Sequence, residues 1–220
     1  MLVFFDVDGV LIDGWHADAA LRKPWDATIT ADLGVDRAAF QTRFFGISGQ
    51  RSEALMHQCV IGRLDLAEAL AGVLPDIGYR GEVKDFMRYW FEKDSNLNAD
   101  VLQLVAELKR IADAKVFIAT GQEHHRARYL WDDLGLSKRF DGMFYSASLG
   151  YPKKDVRFFE AINQTLRIDP AQPPLFFDDQ PEIVACAQRA GWDAAVFRSA
   201  GDVSRHPRLQ HLALGGNSAR

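Results

Sequence analysis

At 220 residues the chain can bury a substantial core, enough for one large domain or for one domain carrying a smaller insert. A net charge of -4 excludes the basic face that nucleic-acid binding normally needs, and 48% hydrophobic with 25% charged residues is ordinary for a globular protein. No apolar run reaches the roughly 18 to 20 residues that span a bilayer, and Asp6 and Asp8 interrupt the apolar N-terminus, so the expectation is a cytoplasmic protein with neither a membrane nor a nucleic-acid partner.

The first element is Leu2, Val3, Phe4 and Phe5, an apolar run with the composition of a buried parallel strand. It stops at Asp6, Val7, Asp8 and Gly9, so two carboxylates stand two residues apart where ligands bind in an open α/β sheet. For about 80 residues thereafter the pattern is helical. Residues 36–45, 52–61 and 65–73 read as short helices closed by Gly46, Gly62 and Pro75, and residues 83–91 carry Phe86, Tyr89, Trp90 and Phe91. The aromatic residues Phe44, Phe45, Trp90 and Phe91 are expected in a core rather than in a ligand cage.

From Asn98 strands and helices alternate. Asn98 can cap a helix with Val101, Leu104, Val105, Leu108 and Ile111 on one face, leading into a strand at 116–119. Thr120, Gly121 and Gln122 follow, then a helix through Leu134 stopped by Gly135. His124 and His125, adjacent in sequence, point in different directions and read as a solvated helix end. A strand at 143–146 precedes Gly150, Pro152, Lys153 and Lys154. A helix at 155–166 carries Phe158, Ile162 and Leu166 on one face. Then come a strand at 175–177 ending in Asp178 and Asp179, a helix from Pro181 to a stop at Gly191, and a strand at 194–197. The last residues, 215–220, read as a disordered tail. Cys59 and Cys186 sit in helical contexts and are expected to be buried small hydrophobes. Five apolar strands separated by helices predict a Rossmann-like, doubly wound parallel α/β sheet.

Parallel strands bring their carboxyl ends to one edge, so Asp6, Asp8, Thr120, Lys153, Asp178 and Asp179 can meet there. Carboxylates gathered without compensation repel, and a hard divalent cation is the usual remedy.

The segments DVDGV (residues 6–10), FIATGQ (117–122), SASLGYPKKD (146–155) and LFFDDQPEIVACAQRAGW (175–192) resemble, in order, the four signature motifs of the haloacid dehalogenase-like (HAD) hydrolase superfamily. The resemblance implies a Mg²⁺-dependent phosphatase acting on a small phosphorylated metabolite. By that resemblance Asp6 is the nucleophile and Asp8 the general acid and base. Mg²⁺ is held by the Asp6 carboxylate, the Asp8 carbonyl and Asp179, with Asp178 in support or as an alternative ligand. Thr120, Gly121, Gln122 and Lys153 contact phosphate. Residues 14–93 resemble the helical cap of one large subgroup, inserted between the first motif and a core of residues 1–13 and 94–220.

The sequence departs from the family pattern at two points. Lys153 is followed by Lys154 and Asp155 where the third motif often reads Lys-Pro-Asp-Pro, which leaves Lys154 as an alternative to Lys153, and Gln122 stands where an Asn is common. A phosphomutase uses the same carboxylates, and a dehalogenase or a non-catalytic phosphate-binding module are further readings of this scaffold. The presence of Asp8 favours phosphate chemistry, since halide displacement needs no acid there.

Overall fold

The computed structural model describes residues 1–13, 24–46, 54–111 and 114–212. Parts of the helical stretches expected at 14–93 and 52–61, and the expected tail at 215–220, lie outside the described residues.

Five strands form one sheet: β1 (Leu2–Phe5), β2 (Lys115–Thr120), β3 (Gly142–Tyr145), β4 (Leu175–Asp178) and β5 (Asp193–Val196). Their order is β3-β2-β1-β4-β5 and every pairing is parallel. Central β1 is buried on both faces, as its unbroken apolar run requires. Successive residues alternate between the faces. Val3 and Phe5 join an apolar cluster with Val101, Val105 and Leu108, whereas Phe4 joins Phe158, Ile162, Phe176 and Trp192. Each fully buried Phe contributes about 1.5 to 3 kcal/mol of transfer free energy, so the three aromatic side chains of Phe4, Phe5 and Phe177 are a large part of what fixes the centre of the sheet.

Between β1 and β2 the described residues form five short helices, α1 (Ile29–Leu33), α2 (Arg37–Phe45), α3 (Leu55–Val60), α4 (Leu66–Val73) and α5 (Val83–Lys93), and then α6 (Ala99–Ile111). Asp36 caps α2 by accepting from the Ala39 N–H, and Asp65 caps α4 by accepting from Ala67 and Glu68. Gly46 ends α2 in the left-handed conformation. Phe40, Phe44, Cys59, Leu70, Phe86 and Trp90 share an apolar cluster of the insert's own, separate from the two that flank the sheet. The expected aromatic core is therefore found. α1 escaped the sequence reading because its cap residue, Thr28, makes no side-chain capping bond and the helix spans only five residues.

The two passages between sheet and insert run side by side. Ile12 bridges Leu97 in antiparallel fashion, the Asp13 N–H donates to the Asn96 carbonyl at 3.0 Å, and Asn98 Nδ2 donates to Asp13 Oδ1 at 2.7 Å. Asn98 also caps α6, accepting from the Val101 N–H.

Beyond β2 come α7 (His124–Arg128), continued by a wider turn through Asp133, then α8 (Ser146–Leu149), α9 (Val156–Leu166), α10 (Pro181–Arg189) and α11 (Ala200–Ser204). The expected strand at 143–146 ends one residue early, because Ser146 opens α8. Both cysteines are buried thiols, as expected. No helix among the described residues is long and apolar enough to cross a membrane.

Candidate active site

The connection leaving β1 runs to β2 on one side, while the chain later returns to β4 on the other. The crevice at the carboxyl ends of β1 and β4 is thus a topological switch point, where a parallel sheet presents loop ends to ligands. Asp6 and Asp178 face each other across it. The Asp6 N–H continues the pairing of β1 with β4 by donating to the Phe177 carbonyl at 3.0 Å.

Lys153 enters between them from the loop before α9. Its Nζ lies 2.6 Å from Asp6 Oδ2 and 2.7 Å from Asp178 Oδ2, and all three side chains are buried. Lys154 turns outward to Glu182 at 3.2 Å and is exposed. Of the two lysines left open by the sequence, the one that reaches the carboxylates is Lys153. Asp178 is also tied on its other oxygen, Oδ1, which accepts from the Gln180 N–H at 2.9 Å. Asp6 Oδ1 is buried and has no hydrogen-bond partner among the described residues.

Asp6, Asp178 and Asp179 can each offer one carboxylate oxygen, with these atoms all within 4.8 Å of one another. Three carboxylates against the single ammonium of Lys153 leave a formal charge of -2. Burial pushes the Asp6 carboxyl up to about 8, with Lys153 opposing and Asp178 and Asp8 adding to it. Burial works against the Lys153 ammonium, yet Asp6 and Asp178 outweigh it and hold its pKa above the ordinary value. This donor set of hard oxygens with excess negative charge and one orphaned buried oxygen fits a small divalent cation.

A tight loop follows Asp6, closed by Gly9 N–H to Ile12 O at 2.9 Å and Ile12 N–H to Val7 O at 2.8 Å. Gly9 has φ +81°, and a Cβ there would stand 2.4 Å from Asp179 Oδ2, so both conformation and close approach demand glycine. Asp8 leaves this loop with its side chain 49% exposed, in contrast to buried Asp6. Its Oδ2 accepts from Gln122 Nε2 at 2.6 Å and its Oδ1 from Arg126 Nη2 at 2.9 Å. The Asp8 carboxylate is therefore directed to residues of the second motif rather than into the cluster of Asp6, Asp178 and Asp179.

Thr120 ends β2 fully buried, and its Oγ1 has no hydrogen-bond partner among the described residues. Gly121 and Gln122 form the turn between β2 and α7. α7 itself is capped by Glu123, whose carboxylate accepts from the His125 and Arg126 N–H groups. The Gln122 carbonyl accepts from Ala147 N–H at 3.1 Å, which ties the second and third motifs together.

Three contributors, Arg126, Asp94 and Ser146, lay outside the sequence reading of the site, and His125 departs from its expectation as a solvated helix end. Arg126 is buried and joins Asp8 to Asp94, and Ser146 carries a buried, unpartnered Oγ at the start of α8. His125 reaches into the insert, with Nε2 2.7 Å from Asp65 Oδ2, instead of pointing only to solvent. A signal for Arg126 existed in its spacing, since it follows Gln122 by four residues and so returns to the same side of the turn. In a run as charged as His-His-Arg-Ala-Arg that signal is indistinguishable from a solvated face.

The model for haloacid dehalogenase-like hydrolases matches residues 1–191. No curated relative matches the chain by sequence. Among solved structures, a HAD family enzyme from Bacteroides thetaiotaomicron, in complex with magnesium and inorganic phosphate, is similar with a TM-score of 0.66 at 18% identity, covering 91% of this chain and 94% of its own. A predicted HAD-like family hydrolase from Porphyromonas gingivalis gives 0.62 at 19% identity, over 96% of both chains. The L-2-haloacid dehalogenase from Xanthobacter autotrophicus, solved with chloropropionic acid covalently bound, gives 0.57 at 18% identity over 100% of this chain and 84% of its own. At such identities the likeness establishes the fold.

Proposed function

Because the chain belongs to the haloacid dehalogenase-like hydrolase family, we propose that it is a Mg²⁺-dependent phosphatase that cleaves a small phosphate monoester through an aspartyl-phosphate. The observation that carries this reading is the division between two neighbouring carboxylates. Asp6 is buried beside a lysine with one oxygen unpartnered, while Asp8, two residues on, is half exposed and outside the charged cluster. One suits attack on phosphorus and the other suits proton traffic with solvent and leaving group.

In the first step an Asp6 oxygen bonds to phosphorus as the bond to the alcohol oxygen breaks, and protonated Asp8 delivers its proton to that oxygen. In the second step Asp8 takes a proton from water, whose oxygen bonds to phosphorus, and Asp6 leaves as a carboxylate with inorganic phosphate released. Lys153 offsets charge on Asp6 and on the phosphoryl oxygens, and the Thr120 hydroxyl donates to one of them, supported by backbone N–H groups of Gly121 and Gln122. The Asp6 and Asp179 carboxylates and the Asp8 carbonyl would hold Mg²⁺, which would supply neutralisation of the phosphate charge. Asp178 serves in support, since Gln180 and Lys153 already engage its two oxygens.

Residues 14–93 act as a cap over a core of residues 1–13 and 94–220. The insert's own apolar cluster and its contacts with the motif loops support this. Asp65 meets His125, and Gly62 comes so close to the Ala147 carbonyl that a Cβ would stand 2.5 Å from it. Mg²⁺-dependent release of phosphate from p-nitrophenyl phosphate, abolished in Asp6→Asn, is the expected result. No turnover across a library of phosphorylated metabolites by folded, metal-loaded protein would refute the assignment.

A further inference from the structure

Arg126 is 4% exposed, an unusual place for a guanidinium on a short helix, and it is held from two sides. Nη1 pairs with Asp94 Oδ2, and Nη2 donates both to the Asp94 carbonyl at 2.8 Å and to Asp8 Oδ1 at 2.9 Å. Gln122 grips the other Asp8 oxygen, so the carboxylate is fixed at both ends by planar groups with few rotamers left to them. Asp94 is the residue that ends α5, the last helix of the insert, with its N–H on the Trp90 carbonyl at 3.0 Å. The chain of contacts thus runs from the insert's exit, through Arg126, to Asp8.

We propose that Arg126, anchored by Asp94, is the positioning residue for Asp8, setting where the acid and base carboxylate stands relative to the leaving oxygen. The proposal rests on the phosphatase reading above. A buried arginine used only to tie the insert to the core would need no bond to Asp8. Nor would it need Gln122 to complete the clasp from the opposite side.

Substituted phenyl phosphates separate the two roles, because they share size and differ only in how much the leaving oxygen needs a proton. kcat/KM, which reports steps up to formation of the phosphoryl-enzyme, is measured for p-nitrophenyl, phenyl and p-methoxyphenyl phosphate with wild type, Arg126→Met and Asp94→Asn, each checked by thermal melting. The wild type should depend weakly on the leaving group. Arg126→Met should lose about 100-fold on p-methoxyphenyl phosphate, the scale of a misplacement by about 1 Å, and less than about threefold on the nitro compound. Asp94→Asn, which keeps an acceptor for Arg126, should show the same split in smaller measure and carries the test if Arg126→Met does not fold. Equal losses on all three substrates, or a wild-type dependence already as steep as the variants', would overturn the positioning role while leaving the phosphatase intact. Failure of the wild type on every substrate, or turnover that survives Asp6→Asn, would overturn the reaction and this role together.

Discussion

Replacing Lys153 with Met tests the electrostatics of the cluster without assuming any reaction. Among the described residues the ammonium is the one cation paired with Asp6 and Asp178, which are 2% and 0% exposed. Removing one partner of a buried pair costs about 3 to 5 kcal/mol because the remaining charge has neither water nor a counterion. For a chain of this length each kcal/mol moves Tm by about 2 to 4 °C, so the variant should melt about 6 to 20 °C below wild type at neutral pH.

The pH dependence follows in sign. Asp6 has a folded pKa near 8 against an ordinary 3.8, so the native state retains a proton that the unfolded chain gives up, and stability from this group falls as pH rises through that window. Lys153 holds the Asp6 pKa down, and because its own folded pKa is raised its stabilisation is complete below about 10.5, the ordinary lysine value, and lost above it. Without Lys153 the Asp6 carboxyl rises further; both proteins keep the Asp6 proton below about pH 7, so the deficit of the variant should stay level from pH 5 to pH 7 and widen as the pH passes the wild-type value near 8. Mg²⁺ at 100 times its Kd adds about 2.7 kcal/mol to whichever protein binds it, and the more negative variant should gain at least as much as wild type. Differential scanning calorimetry over pH 5 to 9, with and without Mg²⁺, is the assay. A gap below about 2 °C, or one that does not change with pH, would refute the reasoning.

Gly9→Ala should cost about 1 to 2 kcal/mol from the left-handed backbone alone, and displacement of Asp179 by the new Cβ should weaken Mg²⁺ binding measured by calorimetric titration; unchanged affinity would contradict the placement of Asp179. Burial pushes the Cys59 thiol up to about 12, so native protein at pH 8 should resist iodoacetamide at both buried cysteines, and mass spectrometry should find two adducts only after denaturation.

The sheet was legible in the sequence because a strand covered on both faces needs an uninterrupted apolar run, and Leu2 to Phe5 and Leu175 to Phe177 meet that condition without competing helical periodicity. Helix starts marked by Asp36, Asp65 and Asn98 were legible for a different reason, since each side chain makes a local bond that needs no tertiary partner. What the sequence withheld depends on packing. Lys153 was the lysine the motif favoured, with Lys154 as the alternative, and only the path of the loop before α9 shows that the first turns inward and the second to Glu182. Arg126 lies in the most polar stretch of its helix, and its burial is created by Asp94, distant in sequence, and by Asp8 from the far side of the sheet edge.

The side-by-side passages at Ile12 and Leu97 also bear on how the molecule assembles. Leu2 pairs with Lys115, so the central strands β1 and β2 meet only after the whole intervening insert has been looped out. Closing a loop of that length carries an entropic cost and makes the central pairing slow to form. The contact of Ile12 with Leu97 and the bond from Asn98 to Asp13 close nearly the same loop and carry nearly the same cost, so they reinforce the central pairing once that cost has been met. The antiparallel passages thus add contacts to a loop closure that the sheet needs in any case, and Asn98→Ala should lower stability and slow refolding together.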